Sequence, residues 1–176
     1  MERTLDRPQV IVSNWWDPVI AVCACAFVVV LAVAAYWDAS IRVVHAFEAL
    51  PYIAATILCA RQRKAGYALG VMAGLLWLGL AARGSTFIEN GFQVLAVSLR
   101  THHVVRPDLL IAVPGALATA GLTVFSAIGY GQLTNRRLSD AAWFGGAAIF
   151  VTAFFFGIFA AFSPQFLVPL KHLFSI

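Results

Sequence analysis

Charge is scarce in this chain: Asp, Glu, Lys and Arg make up 11% of its 176 residues, against about 25% in an average soluble domain. Hydrophobic residues make up 61%, and the mean hydropathy is +0.85. A soluble domain of this size leaves too much of its chain at the surface to hide so many apolar side chains. The composition therefore excludes an ordinary soluble domain and predicts an integral membrane protein.

Cysteine is also rare, and its three positions exclude a disulfide framework. Cys23 and Cys25 lie two residues apart, so on a helix they point about 200° away from each other and cannot bind one ion together. We expect both, and Cys59, to be small apolar packing residues. Phosphate-binding glycine loops, serine nucleophile elbows and the zinc-protease histidine pair are absent too. The chain is therefore not expected to be an enzyme, and no particular cofactor is indicated.

Basic residues lie in short clusters between apolar runs, at Arg61-Gln62-Arg63-Lys64 and at Arg136-Arg137. No water-facing segment is long enough to gather them into a nucleic-acid surface, so nucleic acid is excluded as a partner. Such clusters are typical of cytoplasmic loops. We therefore expect both on the cytoplasmic side of a bacterial-type inner (plasma) membrane, with the N-terminus on that side. Residues 1–14 mix acidic and basic side chains, which predicts that the first span is not a cleaved signal peptide.

Five apolar runs are about long enough to cross a hydrocarbon core. Their predicted bounds are about 18–37, 41–60, 65–82, 108–129 and 141–162. Residues 86–99 form an amphipathic pattern that is shorter than a span and predicts an interfacial or re-entrant helix. The expected fold is thus an all-α integral membrane bundle of five transmembrane helices plus this helix, in one domain. Six spans remain the alternative, because residues 86–99 would then cross.

Small residues recur at a spacing of four on two predicted spans, which lets another helix approach closely. They are Gly66, Gly70 and Gly74 on the third span, and Ala153, Gly157 and Ala161 on the fifth. Besides the lipid bilayer, we therefore expect a homo-oligomer or a larger membrane complex as partner.

The second span carries an unusual polar face. On a helical wheel His45, Glu48, Tyr52, Thr56 and Cys59 share an arc about 80° wide, with Arg42 just beside it. From Arg42 to Cys59 this face is about 25 Å long, most of the thickness of the bilayer core.

Glu48 is the strongest functional candidate on that face, because it is the one acid well inside a predicted span. An intramembrane carboxylate is costly unless it is paired, protonated or facing water, so it is a candidate functional group. His45 and Arg42, one and two turns earlier, are its natural local partners.

Two classes of function remain open. In the first, the chain is a transport or permeation unit that moves a proton, an ion or a small solute along Arg42, His45, Glu48, Tyr52 and Thr56. In the second, it is a non-catalytic accessory subunit whose polar face and small-residue faces dock onto a larger membrane complex, where they could contact a cofactor. The polar face also has a purely structural interpretation, in which it forms hydrogen bonds with other helices and Arg42 and Glu48 are a buried pair. Transport is favoured, because a docking site rarely needs a polar face as long as the membrane is thick.

A membrane enzyme or a metal site on the outer face is the third hypothesis. The five-span topology places His45, His102, His103 and His172 toward that face. Imidazoles with nearby carboxylates can bind zinc, copper or iron, although adjacent histidines such as His102 and His103 rarely bind one ion together. A haem between spans would need a second histidine opposite His45, and no other predicted span carries one. The metal prediction is therefore weak.

Overall fold

The computed structural model describes residues 15–134 and 136–168. Within them the chain forms seven α-helices: α1 (Asp17–Trp37), α2 (Arg42–Ala60), α3 (Lys64–Gly79), α4 (Phe87–Thr101), α5 (Pro107–Leu110), α6 (Ala112–Gly131) and α7 (Ala141–Phe162). Short 3-10 turns precede α2 and α7 at Ala39–Ile41 and Leu138–Asp140, and a third follows α7 at Pro164–Phe166. A π-helical turn, Leu80–Gly84, continues α3. The predictions for residues 1–14 and for His172 fall outside the described residues.

Five helices are long and apolar enough to cross a membrane, as the sequence predicts. They are α1, α2 with its preceding turn, α3 with its π turn, α5 together with α6, and α7 with its preceding turn. The prediction of an all-helical chain with five such helices is confirmed. At 15 residues, α4 is not among them, and it packs against α5, α6 and the π turn.

The five long helices alternate in direction, which gives the bundle two distinct ends. We call one the Asp38 end: it holds the α1–α2 connection, α4, α5 and the end of α7. The other is the Arg61 end, with the α2–α3 and α6–α7 connections.

Helix α3 lies at the centre of the bundle, in contact with α2, α6 and α7. In the most apolar 18-residue stretch of this helix 61% of the residues are buried, against 22% in α1 and in α7. Its glycines explain this position. A Cβ on Gly66 would lie 2.5 Å from the backbone nitrogen of Cys59 in α2, and one on Gly74 would lie 2.1 Å from Oγ1 of Thr123 in α6. Because glycine has no side chain, α3 can approach α2 at Gly66 and α6 at Gly74 this closely.

Gly70 completes this contact, since its Cβ would lie 2.3 Å from Oγ of Ser126 in α6. The second set of small residues is placed differently: Ala153, Gly157 and Ala161 lie exposed on the outside of α7. A Cβ on Gly157 would meet no atom within 4 Å. The glycines of α3 therefore pack within this chain, whereas the small face of α7 packs against none of the described helices.

Hydrogen bonds between different helices are concentrated at the Arg61 end. Lys64, at the start of α3, forms an ion pair with Asp140, just before α7, with 2.7 Å between Nζ and Oδ2. Tyr130, near the end of α6, donates its hydroxyl hydrogen to Asp140 Oδ2 at 2.9 Å. Tyr67 donates to Oδ1 of Asp17, in the first turn of α1, at 2.7 Å. These bonds fix α1, α3, α6 and α7 to one another at this end.

Candidate functional site

The buried acid predicted on the second span has a partner on its own helix. Glu48 is 5% exposed, and its Oε2 lies 2.5 Å from Nδ1 of His45. The two residues are three positions apart, so helical geometry brings the side chains together on one face. When Glu48 is ionised, Nδ1 carries the hydrogen of this bond, because a carboxylate only accepts.

Arg42 does not reach this pair. Its Nε donates to the backbone oxygen of Ala35, near the end of α1, at 2.8 Å. The expected Arg42–Glu48 ion pair is therefore wrong: the guanidinium turns back toward α1, and Glu48 pairs with His45. The open carbonyls in the last turn of α1 are a sufficient reason, since a basic side chain is favoured at a helix C-terminus.

The polar face does not continue as an open line beyond Glu48. Tyr52 is fully buried, and its hydroxyl donates to the backbone oxygen of Ala73 in α3 at 3.3 Å. Thr56 donates to the backbone oxygen of Tyr52 in its own helix at 3.0 Å. Both hydroxyls are thus satisfied inside the bundle, and Cys59 beyond them is fully buried. The five residues share a helix face, but of these only His45 and Glu48 line a cavity.

That cavity has a volume of about 680 Å³ and lies at the Asp38 end of the bundle. Parts of α1, α2, the end of α3, the start of α4, α5 and the region around the end of α7 form its walls. Its volume falls in the range of about 300–1,000 Å³ that is typical of small-molecule sites. The sequence alone does not predict this cavity, because its lining residues come from distant parts of the chain.

Aromatic side chains form much of the wall: Trp37, Trp77, Phe87, Phe159 and Phe166. The polar lining consists of Asp38, His45, Glu48, Ser85 and Asp108. Asp38 and Asp108 are exposed at the cavity mouth, whereas Glu48 lies about 9 Å further along α2, counted from Arg42 at 1.5 Å per residue. The cavity therefore leads from an acidic mouth to a buried carboxylate–imidazole pair.

An aromatic cluster lies next to the cavity, beyond Glu48 toward the Arg61 end. The ring of Phe27 lies 4.5 Å from that of Tyr52 and 5.0 Å from that of Trp77, measured between centroids. Phe27 and Tyr52 are fully buried. Since Tyr52 follows Glu48 by about one turn, this cluster is the first barrier that anything beyond Glu48 would meet.

The π turn Leu80–Gly84 is a feature that the sequence reasoning missed. Leu80 and Ala81 in it line the cavity, and Ser85 and Phe87 follow directly. Single π turns within helices occur often at functional sites. A possible signal was the pair Gly79 and Gly84, whose flexibility favours an irregular turn at the end of an otherwise regular apolar helix.

The three weak metal candidates are not gathered into one site. His45 pairs with Glu48, whereas His102 and His103 are exposed in the connection between α4 and α5. His102 has a positive φ of 52° and ends α4. Throughout the described ranges, no group of three or more His, Cys, Asp or Glu residues is arranged to hold a metal ion.

Comparison with known proteins adds no relative: no family model matches the chain, no curated protein matches it, and no solved structure matches its fold. What defines the molecule is therefore its own geometry, an all-helical bundle with five helices of membrane-spanning length and an acidic, aromatic cavity at one end.

Proposed function

We propose that this chain is a small integral membrane transport unit, in which the His45–Glu48 pair binds a proton or a solute that enters from the Asp38 end. The observation that carries the proposal is the placement of Glu48, which is 5% exposed and yet lines a cavity of about 680 Å³. Burying a carboxylate in an apolar bundle is costly. Its partner and its access to the cavity are what a reversible binding site for a positive charge requires.

The pair can hold a proton in more than one way. A neutral His45 with an ionised Glu48 shares one hydrogen along the Nδ1–Oε2 contact, and a second proton can be taken up at the free imidazole nitrogen. Transfer toward the Arg61 end then requires that the aromatic cluster of Phe27, Tyr52 and Trp77 moves apart. We therefore assign the cluster the role of the closed gate, and the cavity that of the open vestibule.

Five helices of spanning length favour an inner-membrane location, and the basic clusters at the Arg61 end favour a cytoplasmic position for that end. In this orientation the N-terminus is cytoplasmic, the cavity opens on the outer side, and α4 lies in the outer membrane–water interface. The amphipathic pattern of α4 and its packing against α5 and α6 support this placement.

Proton flux into liposomes tests the proposal. The purified full-length protein is reconstituted with an internal pH-sensitive dye, and flux is driven by a valinomycin-clamped potassium gradient. We expect flux above that of empty liposomes, its loss in Glu48→Gln, and unchanged flux in Glu89→Gln. Glu89 is the matched control because it is an exposed acid on α4 that does not line the cavity. Equal flux in wild type and Glu48→Gln, or none in wild type, rejects proton transport through this pair.

A second candidate function, an accessory subunit of a larger complex, is favoured by one observation: the open small-residue face of Ala153, Gly157 and Ala161 on α7. Replacing Gly157 by Leu then lowers the mass of the complex extracted in mild detergent. A bulky residue at Gly70 does not test docking, because that glycine packs against Ser126 of the same chain. An unchanged mass in Gly157→Leu contradicts this candidate.

A further inference from the structure

The ionisable side chains that line the cavity have one dominant sign. Among the lining residues that the structure describes, they are Asp38, His45, Glu48 and Asp108, and neither Lys nor Arg is present. Asp108 is neutralised by Arg106, whose Nε and terminal nitrogen lie 3.0 Å and 2.6 Å from its two carboxylate oxygens. The carboxylates of Asp38 and Glu48 therefore determine the sign of the electric field in the cavity.

Asp38 keeps a negative charge at the mouth. The Ser40 hydroxyl donates to its Oδ1 at 2.7 Å and the Ser40 backbone N–H donates to it at 2.8 Å. These two bonds hold the pKa of Asp38 below its ordinary value of 3.8. Since Asp38 is exposed and ionised throughout the physiological range, it attracts cations toward the opening and repels anions.

Glu48 supplies the second negative group at the inner end of the same space. Among the described residues its ion-pair partner is the imidazole of His45. With Glu48 ionised, the pair therefore has a net charge of zero or minus one, depending on whether the imidazole is charged. A positive group that approaches from the cavity side is attracted to this carboxylate. An anion would meet two carboxylates in a largely apolar enclosure, where like charges interact strongly.

The remaining wall suits an apolar and polarisable body. Trp37, Trp77, Phe159 and Phe166 present rings to the cavity. Aromatic faces attract organic cations through the quadrupole of the ring, most strongly where water is excluded. An inorganic cation is a poor match, because it requires several oxygen ligands. Of the three carboxylates in the described lining, Asp108 is already paired with Arg106, and Asp38 and Glu48 lie at different depths.

We propose that the cavity binds a lipophilic organic cation, meaning a quaternary ammonium or phosphonium ion, or a protonated amine, on an apolar body. The body packs between Trp77 and Phe159, and the charge lies between Glu48 and Asp38. This inference rests on the proposed function for the identity of the site, because it takes the cavity as the place where a transported solute enters. It adds the chemical class of that solute.

Direct binding to the purified full-length protein in mild detergent tests the inference without transport. The probes are tetraphenylphosphonium and tetraphenylborate, which have nearly the same shape and opposite charge. Binding is measured by titration calorimetry and by quenching of tryptophan fluorescence, since Trp37 and Trp77 line the cavity. We expect the phosphonium ion to bind at least about tenfold more tightly than the borate ion. Equal binding of the two ions, or no binding of the phosphonium ion, overturns the inference.

Two pairs of variants locate the binding. Glu48→Gln is expected to weaken phosphonium binding at least about tenfold, and Glu89→Gln to leave it unchanged. Ala34→Phe fills the cavity without changing its charge and should abolish binding, whereas Ala32→Phe, on the exposed side of α1, should not. If Glu48→Gln does not fold, the Ala34 and Ala32 variants still show whether the phosphonium ion binds in the cavity. If both variants of a pair fold and lose phosphonium binding to the same extent, the ion binds elsewhere and the inference is overturned.

Different experimental outcomes would reject the inference about the solute and the proposal of transport. Phosphonium binding that depends on Glu48, in a protein without proton flux, rejects proton transport and keeps the binding site. Proton flux that depends on Glu48, in a protein that does not bind the phosphonium ion, rejects the substrate class and keeps transport.

Discussion

Lys64 and Asp140 lie 76 positions apart in the sequence and form an ion pair between the start of α3 and the turn that precedes α7. The side chain of Asp140 is 5% exposed and that of Lys64 is 17% exposed. Asp140 also accepts hydrogen bonds from Tyr130 and from the backbone N–H of Arg137, each at 2.9 Å. One carboxylate therefore joins three helices at the Arg61 end.

We expect Asp140→Asn to destabilise the bundle, because it removes the negative charge that pairs with the Lys64 ammonium in a partly buried position. The unfolding midpoint in detergent should fall by at least about 5 °C. Asp108→Asn is the control, since its ion pair with Arg106 is about half exposed and such pairs contribute little. Equal midpoints for the two variants would show that the pair at Lys64 is energetically unimportant.

Gly74→Ala should destabilise the protein by about 1–3 kcal/mol, the usual effect of overpacking. The added methyl group would lie 2.1 Å from Oγ1 of Thr123 and 3.0 Å from the backbone oxygen of Thr119, so either Thr123 changes its rotamer or α3 and α6 separate. Gly157→Ala places the same group in open space and should be neutral or stabilise by up to about 1 kcal/mol. Denaturant titration of both variants checks the difference, and a Gly74→Ala protein as stable as wild type contradicts it.

Ser40→Ala should raise the pKa of Asp38 toward 3.8, because it removes the largest cause of the lowered pKa and leaves the backbone bond. A lowered pKa means that ionised Asp38 stabilises the fold fully above pH 3.8, and that this stabilisation is lost as the pH falls through the lower folded pKa. The carboxyl carbon resonance of Asp38 measures the change during an acid titration. Ser85→Ala, at the same cavity, should leave the titration unchanged, and a shift in both variants would count against the assigned cause.

The topology can be tested with single cysteines in a variant that lacks Cys23, Cys25 and Cys59. If α4 does not cross the membrane, Ser40→Cys and His102→Cys react with a membrane-impermeant maleimide from the same side. Arg63→Cys then reacts from the opposite side. If His102→Cys instead labels together with Arg63→Cys, α4 is a sixth span and the five-span topology is wrong.

The long helices could be predicted from sequence because each is a nearly unbroken apolar run. When the π turn is counted with α3, and α5 with α6, the predicted and observed bounds differ by at most two residues, and α7 spans the same residues as its prediction. The π turn escaped prediction, since hydropathy does not distinguish it from a regular turn. The break at Ile111 between α5 and α6 escaped for the same reason, although Pro114 lies close to it.

The site could be predicted only in part. Helical periodicity places His45 and Glu48 on one face, because that relationship is local. It does not reveal that Arg42 bonds to Ala35 or that Tyr52 bonds to Ala73, because those partners lie on other helices. The cavity depends on the relative positions of helices that are far apart in sequence, so a single sequence without relatives contains no direct signal for it.

The unequal distribution of polar contacts has a mechanical consequence. At the Arg61 end, Lys64–Asp140, Tyr130–Asp140 and Tyr67–Asp17 join α1, α3, α6 and α7. At the Asp38 end, the polar contacts described above join residues at most seven positions apart: His45–Glu48, Arg106–Asp108, Asp38–Ser40 and Arg42–Ala35. The described polar contacts thus join distant helices of the bundle at the Arg61 end and not at the Asp38 end. Separation of the helices at the Asp38 end would therefore break none of the described ion pairs between helices.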